Sequence, residues 1–191
     1  MSHAIYQTDA VILKTKNMRE SNKLIVLYTQ KFGLIYCSLQ SVRELKSKMR
    51  FHTNLYSLVT VDLVQGRDIW RVTGIHENTS SLSFTESHWF SILAKFSSLI
   101  NRLCSGEEPH EEIWQNIEYL FDHYDQITEN NTEFIEIIFT IRILSSLGYW
   151  EGNEPFLESI EYFNNVFFMF ITKNKKKLIA KINQRLSDTQ L

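Results

Sequence analysis

Four cations crowd the stretch Gln40-Ser-Val-Arg-Glu-Leu-Lys-Ser-Lys-Met-Arg50: Arg43, Lys46, Lys48 and Arg50, opposed only by Glu44. Burying that much charge in so short a segment is costly, so it belongs on the surface. Its chemistry suits a sugar-phosphate backbone. Guanidinium and ammonium groups neutralise phosphates, and serine hydroxyls add hydrogen bonds. A second basic group, Lys14, Lys16, Arg19 and Lys23, surrounds the expected first turn, and Arg67 follows a Gln65-Gly66 turn. Tyr36, Phe51, Tyr56 and Trp70 lie nearby in sequence. Cations that track a backbone, with aromatic surfaces for the bases, are what sequence-tolerant single-strand binding requires. Each aromatic also has a reading as a core residue, and periodicity does not decide which way it faces.

The charge map supports a division of labour. The formal net charge of −2 gives no hint of a nucleic-acid partner. Segment by segment the picture differs. Residues 1–80 hold 11 Lys/Arg and 6 Asp/Glu, residues 81–171 hold 3 and 15, and residues 172–191 hold 6 and 1. A basic segment gains from counterion release on phosphates. The acidic middle does not, and is expected to meet solvent or a protein partner.

Catalytic and metal chemistry find little support. The chain has no Gly-x-x-x-x-Gly-Lys phosphate loop, no Gly-x-Ser-x-Gly elbow and no His-Glu-x-x-His. Its six histidines are scattered, and Asp122-His123-Tyr124-Asp125 reads as a solvated helix face. Cys37 and Cys104 are too few and too far apart for a zinc site, and read as small buried hydrophobes. No nucleophile, metal ligand or cofactor is assigned, and no enzyme is expected. No apolar run approaches the ~18 residues of a membrane span. The opening Met1-Ser-His-Ala-Ile-Tyr6 lacks signal-peptide character, so a cytoplasmic protein is expected.

The elements that must hold these groups change period near residue 80. Before it come five strand-like runs: 10–13, 24–28, 34–39, 55–64 and 69–75, with turn signals at Phe32-Gly33 and Gln65-Gly66. Five short strands in that length suit an oligonucleotide-binding (OB) barrel. After it, Trp89, Leu93, Phe96 and Ile100 recur at helical spacing, as do Ile113, Ile117, Leu120 and Tyr124. A third helix is expected behind Thr132 as N-cap, apolar on most faces and therefore central, with Gly148 ending it. Asn164-Asn165 between two apolar runs suggests a short hairpin near 159–172. Leu178, Ile179, Ile182 and Leu186 then predict a last amphipathic helix with basic outer positions. The expectation is an α+β chain: an N-terminal five-stranded OB-fold β-barrel over 1–80, followed by a C-terminal α-helical domain over 81–191.

Thr8-Asp-Ala-Val-Ile-Leu-Lys14, Arg19-Glu-Ser-Asn-Lys-Leu-Ile-Val-Leu-Tyr-Thr29 and Phe32-Gly-Leu-Ile35 resemble the opening of the RecO family of bacterial DNA-repair recombination mediators. Val42-Arg-Glu-Leu-Lys-Ser-Lys-Met49 resembles that family's basic segment, and Leu63-Val-Gln-Gly-Arg67 its turn between the fourth and fifth strands. Phe134 to Tyr149, ending Ser-Leu-Gly-Tyr, resembles its central helix and stop. The order and spacing of these pieces carry the likeness, which covers most of 5–80 and returns near 134–150.

The resemblance implies an OB fold with a helical domain, binding of single- and double-stranded DNA, and annealing of complementary strands. It also implies help in loading the RecA recombinase onto DNA coated by single-strand-binding protein. The implied partners are RecR and the acidic C-terminal tail of that coating protein. Many members carry a four-cysteine zinc finger after the Leu-Gly-Tyr. Here residues 150–172 hold no cysteine, so zinc is not expected, and the chain is shorter there. The acidic middle is a poor dock for an acidic tail. The basic last helix, with Lys175, Lys176, Lys177 and Lys181, is the expected partner site. The competing function is an OB-fold protein-interaction adaptor with weak or no DNA binding.

Overall fold

The computed structural model describes residues 4–18, 20–44, 48–77 and 87–189. The chain packs into two compact units, 1–85 with 100–109, and 86–99 with 110–191. The short stretch 100–109 therefore belongs with the first unit, although it follows a helical run.

The first unit is a closed barrel in the order β1-β2-β3-β5-β4. Its strands are β1 (Ile5–Met18), β2 (Asn22–Thr29), β3 (Gly33–Leu39), β4 (Leu58–Val64) and β5 (Trp70–Glu77). Closure depends on β1, which pairs with β4 through Ile5–Val11 and with β2 through Ala10–Met18. A bulge between Ile12 and Lys14 lets one strand serve two neighbours by bending it. The ring closes where β3 and β5 meet in parallel at Cys37–Trp70 and Ser38–Arg71. This order, with one parallel contact, is the OB barrel.

The strand residues explain the core. Ala10, Ile12, Ile25, Leu27, Ile35, Cys37, Leu39, Val59, Val61 and Leu63 alternate inward and are at most 1% exposed. Gly33 (φ 64°) turns β2 into β3, and a Cβ there would meet the Glu108 carbonyl oxygen at 2.1 Å. Glycine is needed both for the left-handed turn and for the close approach of the 100–109 stretch.

The second unit is helical: α1 (Ser87–Leu103, of which 87–99 belong here), α2 (Glu111–Asp122), α3 (Thr132–Ser146) and α4 (Asn165–Asp188). As expected, α3 is central, with Ile135, Ile138, Phe139, Ile141 and Leu144 all fully buried. It starts one residue earlier than expected. Asn131 occupies the cap position and Thr132 is already helical, its hydroxyl donating to the Thr128 carbonyl at 2.7 Å. At the far end Gly148 (φ 76°) donates to Ser145 O at 2.9 Å and Tyr149 N to Leu144 O at 2.7 Å. That pair of bonds is the Schellman stop a C′ glycine provides.

The expected hairpin near 159–172 is corrected. Residues 155–157 form one 3-10 turn, and Asn164 caps α4, its Oδ1 accepting from Val166 N at 2.9 Å. Val166 to Ile171 is helical, and Phe167, Ile171, Leu178 and Ile182 are buried along one stripe. The apolar run reads as a strand by residue type. A lone hairpin has no sheet to join, whereas a helix there buries a continuous face.

Candidate nucleic-acid interface

The barrel's outward positions are set by register. With Ile35, Cys37 and Leu39 inside, Tyr36 and Ser38 point outward. Cross-strand partners share a face, so Lys14, Val26 and Tyr36 form one outward row across β1, β2 and β3. Lys16, Leu24, Ser38 and Arg71 form the next row, reaching β5. Lys14 and Lys16 are exposed, Arg71 is half-buried, and Tyr36 is 50% exposed. Three cations and one accessible ring therefore share a face through register alone, although Arg71 drew no attention in the sequence. The signal that could have found it is its parity with Ser38.

The barrel's other outward face, on β1, β4 and the far half of β5, is different. Gln7, Asp9, Thr60, Asp62 and His76 lie there. Thr60 Oγ1 donates to Asp9 Oδ1 at 2.6 Å, Gln7 Nε2 donates to Asp62 Oδ1 at 2.9 Å, and His76 Nε2 lies 3.5 Å from Asp62 Oδ2. Two carboxylates, Asp9 and Asp62, thus lie on this face, where Lys31 Nζ also donates to Gln7 O at 2.7 Å, while Lys14, Lys16 and Arg71 lie on the other.

The four aromatics raised by the sequence divide evenly. Tyr36 and Phe51 are exposed, at 50% and 61%, and Phe51 sits in a 3-10 turn (Lys48–His52) between β3 and β4. Trp70 and Tyr56 are buried, at 5% and 8%. Trp70 closes one end of the barrel against Tyr6 and Phe32, with ring centroids 5.7 and 4.9 Å away. Its indole N–H donates to Glu107 Oε1 at 2.7 Å, which ties the 100–109 stretch to the barrel.

The basic positions fare unequally. Arg43 is exposed just beyond β3. Lys48 and Arg50 fall in the 3-10 turn, and Arg19 and Lys46 lie outside the described residues. Arg67 is exposed in the β4–β5 turn. Lys23 is half-buried and donates to Thr53 Oγ1 at 2.9 Å, so its ammonium is engaged within the protein. The β1–β2 turn and the first residue of β2 also meet the β3–β4 connection, through Arg43 N and Ser21 O at 3.0 Å and through Ser41 N and Asn22 Oδ1 at 2.9 Å. The two basic groups, separate in sequence, are therefore joined at one end of the β1–β2 pair. On α4, Lys175 pairs with Glu133 at 2.7 Å, and Lys181 lies 4.0 Å over the Trp150 ring, while Lys176 and Lys177 are exposed.

Among the described residues no group of histidine, cysteine, aspartate or glutamate could hold a metal. None of the described helices is long and apolar enough to cross a membrane. Both thiols are buried, and burial pushes the Cys104 thiol up to about 11 and that of Cys37 higher still, with Glu107 adding to the latter.

An OB barrel with one cationic, aromatic-bearing face places the chain in the OB-fold class. Residues 1–77 match the family model described as Recombination protein O N terminal. The chain is 28% identical over 145 residues to the DNA repair protein RecO of Dehalococcoides mccartyi, covering 75% of this chain and 56% of that protein. It is 26% identical over 161 residues to the RecO of Chlorobium limicola, covering 83% and 60%. With that of Clostridium novyi it shares 22% over 147 residues, covering 76% and 57%. The chain is thus similar to RecO proteins, most specifically over its N-terminal barrel, and spans rather more than half the length of these relatives.

Proposed function

We propose that this chain acts in cytoplasmic DNA repair as a recombination mediator, and that its barrel binds single-stranded DNA, and duplex DNA more through phosphates alone. The observation that carries this reading is the pair of outward rows that bring Lys14, Lys16, Tyr36 and Arg71 together beside Arg43. Phosphates lie along the cations, and an unpaired base stacks on Tyr36, an interaction worth about 1–3 kcal/mol per base. Strand annealing, and loading of RecA onto DNA coated by single-strand-binding protein, complete the proposed role. RecR is the proposed protein partner. The acidic tail of the coating protein is proposed to dock on α4 at the exposed Lys176 and Lys177, with Lys175 and Lys181 beside them.

The adaptor reading keeps one supporting observation, the 15 Asp/Glu against 3 Lys/Arg in residues 81–171. A salt series on a fluorescent oligonucleotide separates the two. A mediator loses affinity steeply with salt, at about 0.7 log units per log unit of salt for each phosphate contacted on a single strand. Charge reversal at Arg43, Lys46, Lys48 and Arg50 then removes most of the binding. Weak, salt-insensitive binding would favour the adaptor.

A further inference from the structure

The connection from β3 to β4 is the most cationic stretch of the barrel, and several of its described residues are held by another element. It leaves β3 through Ser41, whose φ of 52° lies in the left-handed region. A non-glycine residue persists there only when its surroundings hold it. Asn22 supplies a hold, its Oδ1 accepting from Ser41 N at 2.9 Å. Two residues on, Arg43 N donates to Ser21 O at 3.0 Å, and Glu44 N closes back onto Ser41 O at 3.2 Å. Lys23 Nζ catches Thr53 Oγ1 at 2.9 Å. The connection then rejoins the barrel at the β1 bulge, where Tyr56 N donates to Ile12 O at 2.8 Å and Ile12 N to Ser57 O at 3.1 Å. Three consecutive residues, Ser21 at the end of the β1–β2 turn and Asn22 and Lys23 at the start of β2, therefore hold three separate points of the connection.

We propose that Asn22 is a positioning residue for DNA binding: it fixes the left-handed Ser41 and so sets where Arg43 leaves the barrel, at the end of the strand pair that carries Lys14 and Lys16. This rests on the reading of the barrel as DNA-binding. Asn22 is neutral, so its removal deletes no cation. Its influence on a charge-driven equilibrium passes through the residues it places. Lys23 acts alike on the 3-10 turn through Thr53, which separates it in role from Lys14 and Lys16.

The test is a double-mutant cycle on the full chain, with a fluorescent oligothymidine titrated at several salt concentrations. Asn22→Ala should weaken binding several-fold and lower the salt slope by about 0.7, the loss of one single-strand phosphate contact. The double variant with Arg43→Ala should bind no more weakly than Arg43→Ala alone, because both remove the same contact. Thermal unfolding checks that the variants fold. Should Asn22→Ala not fold, Asn22→Ser, which shortens the reach but stays polar, takes its place in the cycle. An unchanged slope, or strictly additive losses, overturns the positioning role while leaving the DNA reading intact. If Arg43→Ala alone changes neither affinity nor slope, the DNA reading of this connection fails, and the positioning role with it.

Discussion

Arg142 lies in the middle of α3, is 5% exposed, and forms no ion pair among the described residues. Its guanidinium is satisfied by other means. Nε donates to Phe156 O at 2.9 Å, Nη1 to Ile160 O and to Asn116 Oδ1 at 3.0 Å each, and Nη2 to Ser159 O and to Glu161 O. The Tyr162 ring lies 4.4 Å from its central carbon, and the Tyr162 hydroxyl donates to the same Asn116 oxygen at 2.7 Å. Burial lowers the guanidinium's affinity for its proton and raises that of the phenol. All five donors of the planar fork are used, so this one side chain holds the irregular segment 156–162 in place. Arg142→Met leaves four backbone carbonyls without this donor and Asn116 Oδ1 with only the Tyr162 hydroxyl, and should cost about 3–5 kcal/mol in urea unfolding. Arg142→Lys keeps the charge but not the fork, and should recover little of that loss. Recovery to near wild-type stability with lysine would show that charge, and not geometry, holds the segment.

Among the elements, α4 departs most from its sequence expectation. Its N-terminal half carries phenylalanine, valine and isoleucine, residues that favour strands in general. The helix wins because Phe167, Ile171, Leu178 and Ile182 form one buried stripe, and because Asn164 satisfies the first-turn amide of Val166. Asn164→Ala should therefore cost about 1 kcal/mol and reduce helical circular dichroism near the unfolding midpoint. No loss of either would speak against a helix beginning at that residue. The strands behaved otherwise. All five were legible in the sequence to within a few residues except β1, whose extension to Met18 runs through Lys14, Thr15, Lys16 and Asn17. Those polar residues give no apolar signal. They are strand because β2 pairs with them as far as Asn22.

For the molecule as a whole, the two cysteines offer a reporter. Both belong to the first unit, Cys37 in β3 and Cys104 in the 100–109 stretch. Their thiols are held above the ordinary 9.0 by burial, Cys104 at about 11. In the folded state little thiolate forms at pH 8, so alkylation should be slow and should accelerate only where that unit unfolds. The same shifts make folding pH-dependent. A thiol whose folded value is raised contributes stability that is complete below pH 9 and is lost as pH climbs towards about 11. Stability to urea should therefore fall between those values, and Cys104→Ala should flatten the fall. An identical slope in that variant would locate the pH dependence elsewhere.

The sequence by itself determined the barrel, the central helix with its glycine stop, and a surface rich in cations. These follow from local periodicity, from turn residues and from the cost of burying charge. The order and spacing of the motifs also carried the resemblance to RecO proteins. Only the tertiary structure decided which aromatics face out, because register pairs Trp70 with the inward Cys37 while Tyr36, equally aromatic, sits at the opposite parity on β3. It alone joined Arg71 to Lys16 across three strands, engaged Lys23 with Thr53, and moved the 100–109 stretch to the barrel. Each of these depends on register or on contacts between residues far apart in the chain, which no local window of sequence contains.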